Sequence, residues 1–129
     1  MPAKIDDSPT QARKRILIVE DEPLIAYDLK IQLETDQHEV VGQCRTAEDA
    51  IAFCEHLRPD IVVMDIGLLG SQNGIEAARE IRHRFGIGSI FISATLDRVD
   101  PNVWTDINPV ALIRKPYRDQ DLNEAIQKS

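Results

Sequence analysis

The chain has 129 residues, the size of one domain, with 43% apolar and 29% charged residues and a formal net charge of −7. That acidity argues against duplex nucleic acid as a direct partner, because phosphate contacts need a basic surface. No apolar run approaches a membrane span, residues 1–15 lack the apolar stretch of a secretory signal, and Cys44 and Cys54 read as reduced thiols, so the expected compartment is the cytoplasm, with no membrane contact.

Residues 1–14 hold two prolines and no apolar period, and read as a mobile N-terminal tail before one domain over 15–129. Ile16-Leu17-Ile18-Val19 is a β-branched run suited to a strand buried on both faces, and it ends abruptly on Glu20-Asp21-Glu22. Pro23 fits the first turn of a helix, and Ile25, Leu29 and Leu33 carry that helix to about Thr35. Val40-Val41 centres a second strand. Thr46 and Asp49 resemble a capping box for a helix from Ala47 to about Leu57.

Ile61-Val62-Val63-Met64 is a third strand, ending on Asp65. A Gly-rich loop over 67–74 follows, in which Asn73 is placed to cap the next helix and Gly74 reads as a turn residue. That helix carries Ile75, Ala78, Ile81 and Phe85, and a glycine at 86 or 88 ends it. Ile90-Phe91-Ile92 is a fourth strand, ending on Ser93-Ala94-Thr95. Residues 96–109 show only a weak helical pattern interrupted by Pro101, with Trp104 either a core plug or part of a partner surface. Val110-Ala111-Leu112-Ile113 is a fifth strand before Arg114-Lys115-Pro116, and Leu122, Ala125 and Ile126 mark a last helix. His38, His56 and His83 have no partner spacing and read as surface residues.

Strands alternating with helices imply parallel pairing with helices on both faces. Ligands of such sheets bind beyond the carboxyl ends of the strands. Those ends offer carboxylates from strand one, a carboxylate from strand three, a hydroxyl from strand four and an ammonium from strand five. Clustered acids invite a hard divalent cation, and Mg²⁺ takes a few carboxylates while leaving room for phosphate oxygens. A carboxylate is also a competent nucleophile toward a phosphoryl donor. Glu22 is better read as a helix N-terminal acid.

With ILIVEDEPLI (16–25), IVVMDIGL (61–68), FISAT (91–95) and RKPY (114–117) in order and each at a strand end, the chain resembles the receiver domain of bacterial two-component response regulators from Ile16 to about Gln127. The resemblance implies a flavodoxin-like (βα)5 fold, a five-stranded parallel sheet of order 2-1-3-4-5 between two helical layers. It implies that Asp65 is the phosphoacceptor, that Mg²⁺, for which Mn²⁺ substitutes, is held by Glu20, Asp21, Asp65 and the backbone carbonyl of Gly67, and that Lys115 and Ser93 contact the phosphoryl group. It also implies a cis bond before Pro116. The expected partners are a sensor histidine kinase or a histidine phosphotransfer protein, and an unnamed downstream protein. Such a domain is a phosphorylation-controlled binding module with at most slow autodephosphorylation, not a conventional enzyme.

The chain departs from the family pattern in three ways. The switch position, usually aromatic, is Leu112, so the switch region reduces to Ser93, Ala94, Thr95, Leu112 and Pro116. The loop after Asp65, GLLGSQNG, is one residue longer than the frequent form, and a proline falls where the fourth helix is expected. These features resemble the alphaproteobacterial FATGUY receivers, although FISATL lacks the glycine of that group. The expected protein is a single-domain regulator. The alternatives are the receiver of a longer regulator and a flavodoxin-like ligand-binding protein, the latter disfavoured because EDEP would repel a phosphate group.

Overall fold

The structure, a computed structural model, describes residues 12–65 and 71–129. Along the chain run β1 (Arg15–Val19), α1 (Pro23–Thr35), β2 (Glu39–Cys44), α2 (Ala47–Leu57), β3 (Ile61–Asp65), α3 (Ser71–Phe85), β4 (Gly88–Ser93), a 3₁₀ turn (Leu96–Arg98), α4 (Pro101–Ile107), β5 (Ala111–Arg114) and α5 (Asp119–Gln127). The strands form one parallel sheet in the order β2-β1-β3-β4-β5, the flavodoxin-like receiver topology expected.

Alternation along the strands divides the core into two layers. Leu17, Val19, Val62, Met64 and Phe91 face one side, with Ala50 and Cys54 of α2 and Ile75, Ala78 and Ile81 of α3. Ile16, Ile18, Ile61, Val63, Ile90 and Ile92 face the other, with Leu29 and Leu33 of α1 and Leu122 and Ile126 of α5. Pro23 starts α1, Glu22 lies at its N-cap with extended backbone, and Gly86, at φ +71°, follows the end of α3.

At the start of α2, Thr46 Oγ1 accepts from Asp49 N–H at 3.1 Å, satisfying one free amide of the first turn. Thr46→Ala should lower the stability by about 1 kcal/mol in urea unfolding. An unchanged midpoint would show that this cap contributes nothing.

Several sequence expectations are corrected. Residues 96–109 are more regular than their pattern suggests, because Pro101 begins α4 rather than interrupting it. A proline costs little at that position, and the side chain of Asp100 accepts from Asn102 N–H at 2.9 Å. Trp104 is partly buried and packs against the core, its ring 4.9 Å from that of Phe91. Gly74 lies inside the first turns of α3 instead of turning into it, and the side chain of Asn73 lies outside what is described.

His38 is buried, unlike His56 and His83. Its Nδ1 accepts from Lys14 N–H at 3.1 Å and its Nε2 pairs with Asn123 Oδ1 at 2.8 Å. The ring thus links the start of the domain to α5, a tertiary role without local periodicity.

Candidate functional site

The strand order reverses around β1 and β3, and the carboxyl ends of these two strands meet at the position where such sheets bind ligands. Asp65, the last residue of β3, has a side chain only 4% exposed, and Lys115 Nζ donates to its Oδ1 at 2.8 Å. Lys115 follows β5 directly, and its N–H donates to the Ser93 carbonyl at 3.0 Å, so the ladder itself delivers the ammonium to Asp65. The Lys115–Pro116 bond is cis, as the resemblance implies.

Glu20 is buried one residue beyond β1. Its N–H donates to the Cys44 carbonyl at 3.0 Å, and its Oε2 accepts from Glu22 N–H at 2.8 Å, which fixes the carboxyl group. Burial pushes its pKa up to about 8, with the charge of Asp65 and contacts to Asp21 and Asp65 adding to the rise. Asp21 is exposed at the rim, beside the start of α2.

Among the described residues, no group of three acidic, histidine or cysteine side chains is arranged to hold a metal by itself. What the structure presents is a buried, mutually repelling pair, Glu20 and Asp65, with Asp21 next to it. This donor set fits Mg²⁺, which takes one or two carboxylates and completes its shell with water and phosphate oxygens. Receiver domains use Mg²⁺ for phosphorylation. Gly67 and the GLLGSQNG loop fall outside the described residues.

Ser93 is buried at the end of β4. Its Oγ accepts from Thr95 N–H at 2.9 Å and lies 3.0 Å from Thr95 Oγ1, so the hydroxyl is engaged by its own loop. Ala94 is exposed, as are Leu112 and Pro116.

Tyr117 was not singled out by the sequence patterns. Its hydroxyl donates to Gln32 Oε1 at 3.4 Å, and burial, with the charge of Asp65 adding, pushes its pKa up to about 12. With Lys115 and Asp65 it lines a groove of about 460 Å³ that continues onto α1, where Leu24, Tyr27 and Ile31 are exposed. The spacing of these three residues along one helix face was the available signal.

The chain is similar to known proteins over most of its length. Residues 16–127 match the response regulator receiver domain. The chain is 34% identical over 115 residues to the phyllosphere-induced regulator PhyR of Methylorubrum extorquens, covering 88% of this chain and 42% of that protein. The signal receiver domain of a modulated diguanylate cyclase from Desulfovibrio desulfuricans G20 superposes with a TM-score of 0.76 at 32% identity, covering 90% of this chain and 92% of that one. The response regulator PhyR from Brucella abortus superposes at 0.72 with 36% identity, covering 92% and 48%.

The chain belongs to the receiver domains of two-component response regulators. It spans between 42% and 62% of the length of the curated relatives it matches. Among the described residues, no helix is long and apolar enough to cross a membrane.

Proposed function

We propose that Asp65 accepts a phosphoryl group from a phosphohistidine of a sensor histidine kinase or a histidine phosphotransfer protein. The observation that carries this reading is the buried Asp65 carboxylate held by Lys115 Nζ at 2.8 Å, at the strand ends that also bring Glu20 and Ser93. An Asp65 oxygen attacks phosphorus, the P–N bond to the imidazole breaks, and its electron pair leaves with the ring nitrogen. Lys115 donates to a phosphoryl oxygen, and Ser93 turns its hydroxyl toward another. Glu20, Asp21 and Asp65 would hold Mg²⁺ or Mn²⁺, which would supply positive charge to the phosphoryl oxygens.

The groove from Asp65 onto Leu24, Tyr27 and Ile31 supports a protein donor, since an apolar helix face beside the acceptor suits a docked partner. The aspartyl phosphate then alters binding to a downstream protein, or passes its phosphoryl group on in a relay. The chain acts as a single-domain regulator or, as the greater length of its relatives favours, as the receiver of a longer one. Glu20 and Asp21 after β1 speak against a flavodoxin-like phosphate cradle.

Incubation with acetyl phosphate and Mg²⁺ tests the reading. Intact-mass measurement should show one phosphoryl adduct that hydroxylamine removes, because an acyl phosphate is labile to that nucleophile. A stable adduct, or none, would overturn the assignment.

A further inference from the structure

The connection between β4 and α4 starts at Ser93, the last residue of β4, and carries Thr95, yet little apolar burial holds it down. Its 3₁₀ turn, Leu96–Arg98, contains no buried residue. A fork-to-fork ion pair holds it instead: Arg114 Nη1 donates to Asp97 Oδ2 and Nη2 to Asp97 Oδ1, each at 2.6 Å. Two parallel bonds of this kind set orientation as well as attraction.

The place of Arg114 gives this pair a consequence. Arg114 is the ladder partner of Ser93 in the β4–β5 pairing. Its neighbour Lys115 reaches Asp65 at 2.8 Å. Successive residues of a strand point to opposite sides. The end of β5 therefore sends one cation to the acceptor and the previous one to the loop that carries Ser93. Within that loop the Ser93 hydroxyl is held by Thr95, whereas the function proposed above requires it to reach a phosphoryl oxygen. α4 beyond the loop has its own anchors: Ile107 is buried, Trp104 packs on Phe91, and Arg82 donates to the Asn108 carbonyl. The Arg114–Asp97 pair thus acts on the short stretch 94–98.

We propose that Arg114 and Asp97 form a resting-state latch, positioning residues that hold Ser93 and Thr95 in the arrangement of the unphosphorylated chain, so that phosphorylation of Asp65 works against their ion pair. The inference rests on Asp65 being the acceptor. Both side chains are largely exposed, at 59% and 72%, so the latch is a modest and salt-sensitive bias on a two-state loop.

Beryllofluoride, a phosphoryl mimic, is titrated with Mg²⁺ into the wild-type chain, Arg114→Gln, Asp97→Asn, and the swapped double variant Arg114→Asp with Asp97→Arg. Both single variants are expected to bind roughly two- to fivefold more tightly, the range an exposed ion pair can supply. In both, the Thr95 amide should exchange faster with solvent before beryllofluoride is added. The swapped pair should return both readouts toward wild type, and high salt should shrink the differences.

The direction of change is diagnostic. Without a latch, loss of the Arg114 charge weakens anion binding and loss of the Asp97 charge strengthens it. Opposite shifts in the two single variants, or no shift in either, would overturn the latch. A wild-type chain that does not bind beryllofluoride would overturn the Asp65 reading beneath it, and the latch with it.

Discussion

Asp65→Asn is expected to lower phosphoryl incorporation from acetyl phosphate by roughly 10³-fold or more, the order seen when an enzymatic nucleophile is removed. The amide is nearly isosteric with the carboxylate, so Lys115 retains an oxygen to donate to and the fold should persist; circular dichroism checks this. The substitution has a second, independent signature. The charge of Asp65 is among the causes that raise the Glu20 pKa, although burial is the larger one. Removing it should move the titration of Glu20 toward acid, while burial keeps it above the ordinary carboxylate range. Lys115→Ala should slow incorporation by about 10²-fold without abolishing it, as for loss of one donor to a developing anion. Equal labelling of wild type and Asp65→Asn would place the acceptor elsewhere.

The second large effect is a dependence of Mg²⁺ binding on pH. The folded pKa of Glu20, about 8, lies above its ordinary value of 4.5. The folded state therefore keeps a proton that the unfolded chain releases. This stabilising contribution is fully present below about pH 4.5 and is lost as pH rises through about 8. Mg²⁺ needs the carboxylate, so its binding displaces that proton. The apparent affinity should rise about tenfold per pH unit below pH 8 and level off above it. Mg²⁺ should also raise the melting temperature, and more at pH 8 than at pH 6, because it relieves the repulsion between Glu20 and Asp65. Calorimetric titrations giving one affinity at both pH values would remove Glu20 from the metal site. A chelator should cancel the thermal shift.

Much of the fold was legible because it rests on local pattern. The runs at 16–19, 61–64 and 90–92 are apolar on both faces, and only a strand with a helical layer on each side satisfies them. Pro23 and Thr46 mark helix starts through the chemistry of their own first turns. Where local pattern misled, a tertiary partner was the cause. Residues 96–109 look irregular, but Asp100 caps the start of α4, Ile107 is buried, and Trp104 packs back on Phe91 of the preceding strand, β4. His38 has no period around it, and its ring is engaged by tertiary partners, Asn123 of α5 and the Lys14 amide.

The candidate site divides in the same way. The sequence by itself determined which chemistry is present at the strand ends: acids after β1 and β3, a hydroxyl after β4 and a lysine after β5. These are consequences of residue type and position along each element, and parallel pairing sends all the ends to one side of the sheet. Only the tertiary structure decided how those groups engage one another. It put Lys115 on Asp65, buried Glu20 beside it so that one proton is held tightly, left Asp21 at the rim, and tied the Ser93 hydroxyl to Thr95 within a loop held by Arg114 and Asp97. The placing of Lys115 on Asp65, of Glu20 beside Asp65 and of Arg114 on Asp97 depends on distance and desolvation between residues separated along the chain, quantities that residue order does not carry.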